Sequence, residues 1–133
     1  MASKDLKTGQ TFTLLHEAKA LTTATNGASV DTKGIGAVTI TLNTGVFSGT
    51  TPTATWQLQD SDDDSAFTVV DTVGKGLIGT AIPQITDSND QAVYVTAYAG
   101  NRRYVRFALT ATGGSSPSLL CSVTAVTGTL RHQ

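Results

Sequence analysis

The sequence has little of several residue classes, and each shortage excludes a kind of protein. A single cysteine, Cys121, rules out an internal disulfide, a cysteine-based zinc site and a paired-cysteine redox centre. Charged residues make up only 14% of the chain, and the net charge is −1. The chain therefore lacks the excess of positive charge with which proteins bind nucleic acids or anionic lipids, and we expect neither as a partner.

Long apolar runs are absent as well. No stretch approaches the ~20 apolar residues that a helix needs to span a bilayer. Residues 1–7 include an acid and no apolar segment of the kind that secretory signals contain. We therefore expect a protein that is made in the cytoplasm and does not enter a secretory route.

Threonine and glycine are abundant instead, with 24 threonines and 13 glycines in 133 residues. Threonine suits a pleated, half-buried surface, and glycine supplies the backbone angles of turns. A chain of this length fits one domain with one core. We predict a polar N-terminal arm over residues 1–10 that helps to grip a neighbouring chain, and a single β domain over residues 11–133.

Apolar and polar residues alternate with a period of two along much of the chain, which is typical of half-buried strands. Residues 11–21 are predicted as a first strand, and turns are predicted at 26–27, 44–53, 99–102 and 113–117. On the strand at 93–98 we place Val93, Val95 and Ala97 inward and both tyrosines outward. The predicted core consists of Val38, Ile40, Leu42, Trp56, Leu58, Phe67, Val69, Val105, Phe107 and Leu109. This pattern predicts an all-β fold, an antiparallel β-sandwich or jelly roll of seven to eight short strands.

An acidic loop is the first candidate site. Asp60, Asp62 and Asp64 are followed by Asp71, which is the spacing of carboxylates in an EF-hand calcium loop. Ser65 stands where that loop needs glycine, and the flanking segments are predicted strands rather than helices. We therefore expect a solvated hairpin loop with no required metal, and a calcium loop of another kind is the alternative.

The sequence contains patterns that suggest cofactor binding or catalysis, but the neighbouring residues support neither function. Gly74, Gly76 and Gly79 match a dinucleotide-binding pattern, but that site needs a helix, which Pro83 would interrupt. Nucleophilic catalysis needs a base and an orienting group, and the sequence nominates neither around His16, His132 or Cys121. Cys121 alternates in phase with apolar neighbours, which predicts a small buried side chain. We expect no enzyme, no cofactor and no small-molecule substrate.

A hairpin rich in tyrosine and arginine is the second candidate site. Both residue types are enriched at protein interfaces. Two interpretations carry equal weight. In the first, the hairpin forms an interface with another protein. In the second, a structural alternative, the arginines pair with residues 60–64 and the tyrosines lie under loops. The candidate interface residues are Tyr94, Tyr98, Arg102, Arg103, Tyr104 and Arg106.

Two segments carry a family resemblance: WQLQDSDD followed by FTVV at residues 56–63 and 67–70, and YAGNRRYVR at residues 98–106. They are similar to small structural proteins of tailed bacteriophages, in particular head decoration (capsid cement) proteins with a β-sandwich or jelly-roll body. The resemblance implies a non-enzymatic protein, made in the bacterial host cytoplasm, that binds the major capsid protein on the outside of the virion, commonly as homotrimers. It assigns no catalytic or binding residues.

A carbohydrate- or receptor-binding β-sandwich module of a phage tail or fibre is the alternative function. Exposed aromatic rings stack on sugars, and Tyr94, Tyr98, Tyr104 and Trp56 are the candidates. Trp56 alternates in phase with Leu58, however, so we expect it in the core, which weakens the sugar platform.

Overall fold

The computed structural model describes residues 10–33 and 35–129. Their strands are antiparallel, and the all-β prediction is confirmed. The predicted arm lies outside the described residues except for Gln10, which begins the first strand. The strands of these residues are β1 (Gln10–Leu21), β2 (Ser29–Asp31), β3 (Ile35–Ser61), β4 (Thr68–Val69), β5 (Leu77–Ile78), β6 (Ile85–Thr86), β7 (Val93–Tyr98) and β8 (Tyr104–Thr129), and a 3-10 turn lies at Val73–Lys75. Within the described ranges no helix is long and apolar enough to span a membrane.

Two long strands form the frame of the domain. β3 and β8 pair from Ile35 opposite Thr129 to Ser61 opposite Tyr104, although each was predicted as two short strands separated by a turn. The pair bends instead of ending, because register shifts coincide with residues at positive φ. Those residues are Gly49, Thr51, Gly114 and Ser116.

The bend lets one sheet enclose its own core. One half of the sheet has the strand order β1-β8-β3-β7-β5, and β2, β4 and β6 pair with the remaining lengths of β8 and β3. Trp56 stacks on Phe107 with ring centroids 5.1 Å apart, and the ring of His16 on β1 is nearly perpendicular to that of Trp56, with centroids 5.3 Å apart. Residues from both halves therefore share a single apolar core.

The predicted core is confirmed along β3 and β8 and differs at β4. Val38, Ile40, Leu42, Trp56, Leu58, Val105, Phe107 and Leu109 are buried. The inward placement of Phe67 and Val69 was wrong: both are half-buried, and Val70 is buried instead. β4 is only two residues long, so its alternation does not extend far enough to fix the inward side.

The predicted phase of β7 was also wrong. Val93 and Val95 are 62% and 58% exposed, whereas Tyr98 is 1% exposed and belongs to the core. Tyr94 is half-buried. Alternation defines two faces of this strand, and the hydroxyl of Tyr98 finds a buried hydrogen-bond partner that makes its face the inner one.

Candidate functional site

The two segments singled out in the sequence meet at one end of the domain. The acidic loop follows the end of β3, and the turn at 99–103 precedes the start of β8. These two strand ends pair directly, with Asp60 opposite Val105 and Ser61 opposite Tyr104. We call this end, formed by residues 60–66 and 98–106, the polar end.

A buried carboxylate lies at the centre of the polar end. The side chain of Asp60 is only 6% exposed. It accepts hydrogen bonds from the Tyr98 hydroxyl at 2.8 Å and from Thr68 Oγ1 at 3.0 Å, and Arg102 Nε lies 3.7 Å from it. The Tyr98 oxygen in turn accepts the backbone N–H of Arg102 at 3.1 Å. The carboxylate is therefore satisfied by neutral donors and a guanidinium, as a buried charge requires.

Tyr98 is held as a hydrogen-bond donor by its surroundings. Burial, together with the hydrogen bond to Asp60, raises the pKa of its hydroxyl to about 12. Two glycines leave room for its ring: a Cβ at Gly100 would lie 2.5 Å from the Tyr98 oxygen, and one at Gly76 would lie 2.5 Å from the Gly100 Cα. Gly76 also has a φ of 112°. The glycine-rich segment thus serves packing, and the only helical turn in it is the three-residue 3-10 turn.

The acidic loop is organised by partners within the chain. Asp62 lies 3.7 Å from Arg102, and Asp64 accepts the hydroxyl of Ser29 at 2.6 Å. Backbone N–H groups of the loop and a serine hydroxyl hold the pKa of Asp63 below its usual range, with the N–H of Ala66 as the largest contribution.

The carboxylates named as metal candidates do not converge. Asp60 and Asp62 both pair with Arg102, whereas Asp64 accepts from Ser29 and Asp71 pairs with Lys75 at 3.1 Å. Among residues 10–33 and 35–129, no three His, Cys, Asp or Glu side chains form a group that could hold a metal ion.

The remaining arginines of the polar end are also engaged. Arg103 makes a two-point contact with Asp31, at 2.8 and 2.7 Å. Hydrogen bonds from Arg103, and then from the backbone N–H of Lys33, lower the pKa of Asp31 to about 2. Arg103 also lies over the ring of Tyr104, 5.1 Å from its centroid.

Arg106 rests on an aromatic ring as well. Its guanidinium carbon lies 3.9 Å from the centroid of Phe67, and its Nε donates to Gln59 at 2.7 Å. Arg102 is the arginine that pairs with the acidic loop, as the structural alternative expected. The outward placement of Tyr98 was wrong, while Tyr94 and Tyr104 are half-buried and Arg102 and Arg103 are exposed. The polar end is therefore a preorganised charged surface.

A cleft opens beside this network, with a volume of about 400 Å³. Its lining offers a carboxylate, a hydroxyl, a primary amide and two cationic side chains. The residues are Asp60, Thr68, Val69, Gly74, Lys75, Asn101 and Arg102.

Of the other chemical groups named from the sequence, Cys121 and His16 are buried, and His132 lies outside the described residues. Cys121 is buried in β8, and burial raises the pKa of its thiol to about 11. His16 is 5% exposed and donates from Nε2 to the carbonyl of Phe107 at 2.7 Å. Burial lowers the pKa of His16, so its ring is neutral near pH 7.

Sequence reasoning missed a second surface, on the outside of the β1-β8-β3-β7-β5 half. The strand registers align its outward side chains in three rows. The first row is Phe12, Val126, Thr39, Ala97 and Ile78, the second is Leu14, Thr124, Thr41 and Val95, and the third is Ser122, Asn43 and Val93. None of these residues is charged, and we call the surface the outer face. The signal for this surface in the sequence was the alternation of apolar residues along β7. The prediction placed Val93, Val95 and Ala97 on the inner face, whereas they lie on the outer face.

Comparisons with family models, with curated proteins and with solved structures each found no match.

Proposed function

We propose that this chain is a non-enzymatic structural protein of a tailed-phage virion, which binds the outer surface of the capsid and stabilises it. Its partners are the major capsid protein and further copies of itself, on the exterior of the virion. The proposal includes a β-sandwich or jelly-roll body, as in the decoration proteins that the two segments resemble.

The outer face is the observation that carries the proposal. Phe12, Leu14, Val93 and Val95 are each more than half exposed on it. Large apolar side chains exposed on one face favour protein contacts, because covering them releases free energy. A protein that holds a shell together must contact at least two neighbours, and this domain offers two separate surfaces, one apolar and one charged.

The polar end is the surface that we assign to the capsid. Its charged side chains are already held in place by partners within the chain, so little conformational freedom is lost when they meet a second protein. Arg102 and Arg103 retain 43% and 46% exposure and can add hydrogen bonds to an acidic surface. Tyr104 and Arg106 lie beside them on β8.

Co-sedimentation with intact heads tests the proposal. Purified protein should pellet with heads that lack it, and the decorated heads should rupture at a higher temperature than bare heads. Tyr104→Ala and Arg106→Ala should weaken pelleting without changing the fold, whereas Lys19→Ala, an exposed lysine on β1, should not. Equal rupture temperatures, or no pelleting at all, would refute the cement function.

A carbohydrate-binding function is the second candidate, because the cleft at the polar end suits a hydroxyl-rich ligand. The aromatic platform that first suggested it is reduced, since Trp56 and Tyr98 are both buried. A glycan array decides between the two functions. A hit that Asn101→Ala and Lys75→Ala both abolish would favour the tail module over the decoration protein.

A further inference from the structure

Two buried polar atoms of the core have no hydrogen-bond partner among the described residues. They are the indole Nε1 of Trp56 and the hydroxyl oxygen of Thr96. Trp56 is 5% exposed and Thr96 is 3% exposed, so neither side chain lies at the surface. Buried N–H and hydroxyl groups are in the great majority paired with protein or with ordered water, because leaving one unpaired costs free energy.

Both residues line the same pocket, although they belong to different parts of the sheet. Thr96 lies on β7, in the half with the order β1-β8-β3-β7-β5, and Trp56 lies on the length of β3 that belongs to the other half. The pocket has a volume of about 50 Å³. A single water molecule needs roughly 10–15 Å³, so the pocket is large enough to hold one.

The rest of the lining leaves these two groups as the points of attachment. Leu58 and Val70 are buried apolar walls, whereas Asp71 and Ala81 are exposed and form the rim through which a small molecule can enter. The other polar side chains of the lining, Gln57 and Asp71, are each hydrogen-bonded within the chain. The pocket therefore combines apolar walls with one indole N–H and one hydroxyl that need a partner.

We propose that this pocket is the binding site of an ordered water molecule. The water accepts a hydrogen bond from the indole N–H of Trp56 and forms a second one with the hydroxyl of Thr96. An indole N–H can only donate and a hydroxyl can donate or accept, so a single water oxygen satisfies both groups. An apolar occupant would leave both unpaired, which is the reason to expect water there.

The bound water has a structural consequence. Because Trp56 and Thr96 belong to opposite halves of the bent sheet, the water links the two halves through the core. Such waters typically make about three hydrogen bonds and are costly to remove. The site belongs to the folded domain, so the inference does not depend on attachment to a capsid.

Crystallography and NMR on the wild-type chain test the site directly. A peak of electron density should lie within about 3.2 Å of both Trp56 Nε1 and Thr96 Oγ1. The chain has a single tryptophan, so its indole N–H gives one NMR resonance. That resonance should show NOE and ROE cross peaks to water of opposite sign, as expected for a bound water and not for exchange of the N–H proton with solvent.

Thr96→Val tests the occupant through the sign of its effect on stability. If water satisfies the hydroxyl, the change removes a partner of that water and should lower the melting temperature by at least about 2 °C. If the hydroxyl is unpaired, the same change removes a buried polar group without a partner and should raise the melting temperature.

Thr44→Val is the matched control for this substitution. Thr44 is 4% exposed, and its hydroxyl donates to the carbonyl of Ala92 at 3.0 Å. This variant should therefore lower the melting temperature whether or not the pocket holds water. Circular dichroism establishes that both variants keep the β fold.

Three results would overturn the water site. The first is the absence of density between the two atoms, and the second is an unchanged or higher melting temperature of Thr96→Val. The third is xenon bound in the wild-type pocket under pressure, because xenon occupies apolar cavities that stay dry. Density that contacts only one of the two atoms would contradict the link between the halves. None of these results changes pelleting with heads, so the cement function is tested separately.

Discussion

Replacing Tyr98 with phenylalanine is the sharpest test of the polar end. The change removes one hydroxyl and leaves the ring in its place in the core. Asp60 then loses the hydrogen bond at 2.8 Å, and the backbone N–H of Arg102 loses its acceptor at 3.1 Å. The carboxylate keeps Thr68 and the guanidinium of Arg102, so the network is weakened rather than dismantled.

The expected loss follows from the charge of the acceptor. A hydrogen bond to a buried charged group contributes about 1.5–3 kcal/mol to the free energy of unfolding, and Asp60 has little water to replace it. We expect Tyr98→Phe to cost about 2–3 kcal/mol. Tyr94→Phe is the matched control: its hydroxyl donates to the neutral carbonyl of Asn89 in a half-buried position, so about 0.5–1.5 kcal/mol is expected.

Urea unfolding followed by the fluorescence of Trp56, the single tryptophan, measures both variants. A loss below about 0.5 kcal/mol for Tyr98→Phe would refute the reasoning, because the hydroxyl would then contribute less than an ordinary hydrogen bond. In an Asp60→Asn background the same change should cost less, since the acceptor is no longer charged. Equal costs in the two backgrounds would show that the two groups are not coupled.

The raised pKa of Tyr98 adds a dependence on pH. The folded state keeps the proton to about pH 12, whereas the unfolded chain releases it near 10.0. The stability that this hydroxyl contributes is therefore complete below pH 10 and is lost as the pH rises from about 10 to about 12. Tyr98→Phe should show a shallower alkaline decline than the wild type.

Four further changes test other parts of the structure. Trp56→Ala should lower the free energy of unfolding by about 3–5 kcal/mol through lost burial and a cavity; a loss below about 1 kcal/mol in urea would contradict its core position. Gly76→Ala should lower the melting temperature because its φ is 112°, whereas Gly74→Ala, which has open space, should not. Because burial lowers the pKa of His16, stability should fall as the pH drops below 6.5, and less steeply in His16→Gln. Calcium titrated calorimetrically should show no tight binding, and chelator should leave the melting temperature unchanged; a micromolar affinity lost in Asp62→Asn would contradict this.

Alternation in the sequence predicted the inner face wherever one side of a strand is uniformly polar. In the middle of β3 one side carries only Thr39, Thr41 and Asn43, so the other side must face the core. At the end of β3 one side carries Gln57 and Gln59, so there too the other side must face the core. In β7 both sides carry apolar atoms, so the phase depends on partners distant in sequence. The buried carboxylate of Asp60 selects Tyr98, and the outward valines of this strand then become part of the outer face.

Breaks in the sequence pattern were less informative about where strands end. Glycine, serine and proline at 113–117 predict a turn, yet β8 continues through them beside β3. Positive φ angles on both strands absorb the bend, which local composition cannot distinguish from a reversal of the chain. The candidate site was also predictable only in part. Its residues were named from the sequence, but the ion pairs that fix them join segments far apart in the chain.

The pairing of the first strand with the last determines when this chain can fold during synthesis. Gln10 pairs with Gly128, and every register pair of β1 is made with the second half of β8. A ribosome that adds about 5–20 residues per second needs on the order of 5–20 s between making these two strands. Throughout that interval β1 has no native partner, and its apolar side chains remain accessible to other nascent chains. Expression yield should therefore respond to chaperone supply and temperature during translation more than to the stability of the finished domain.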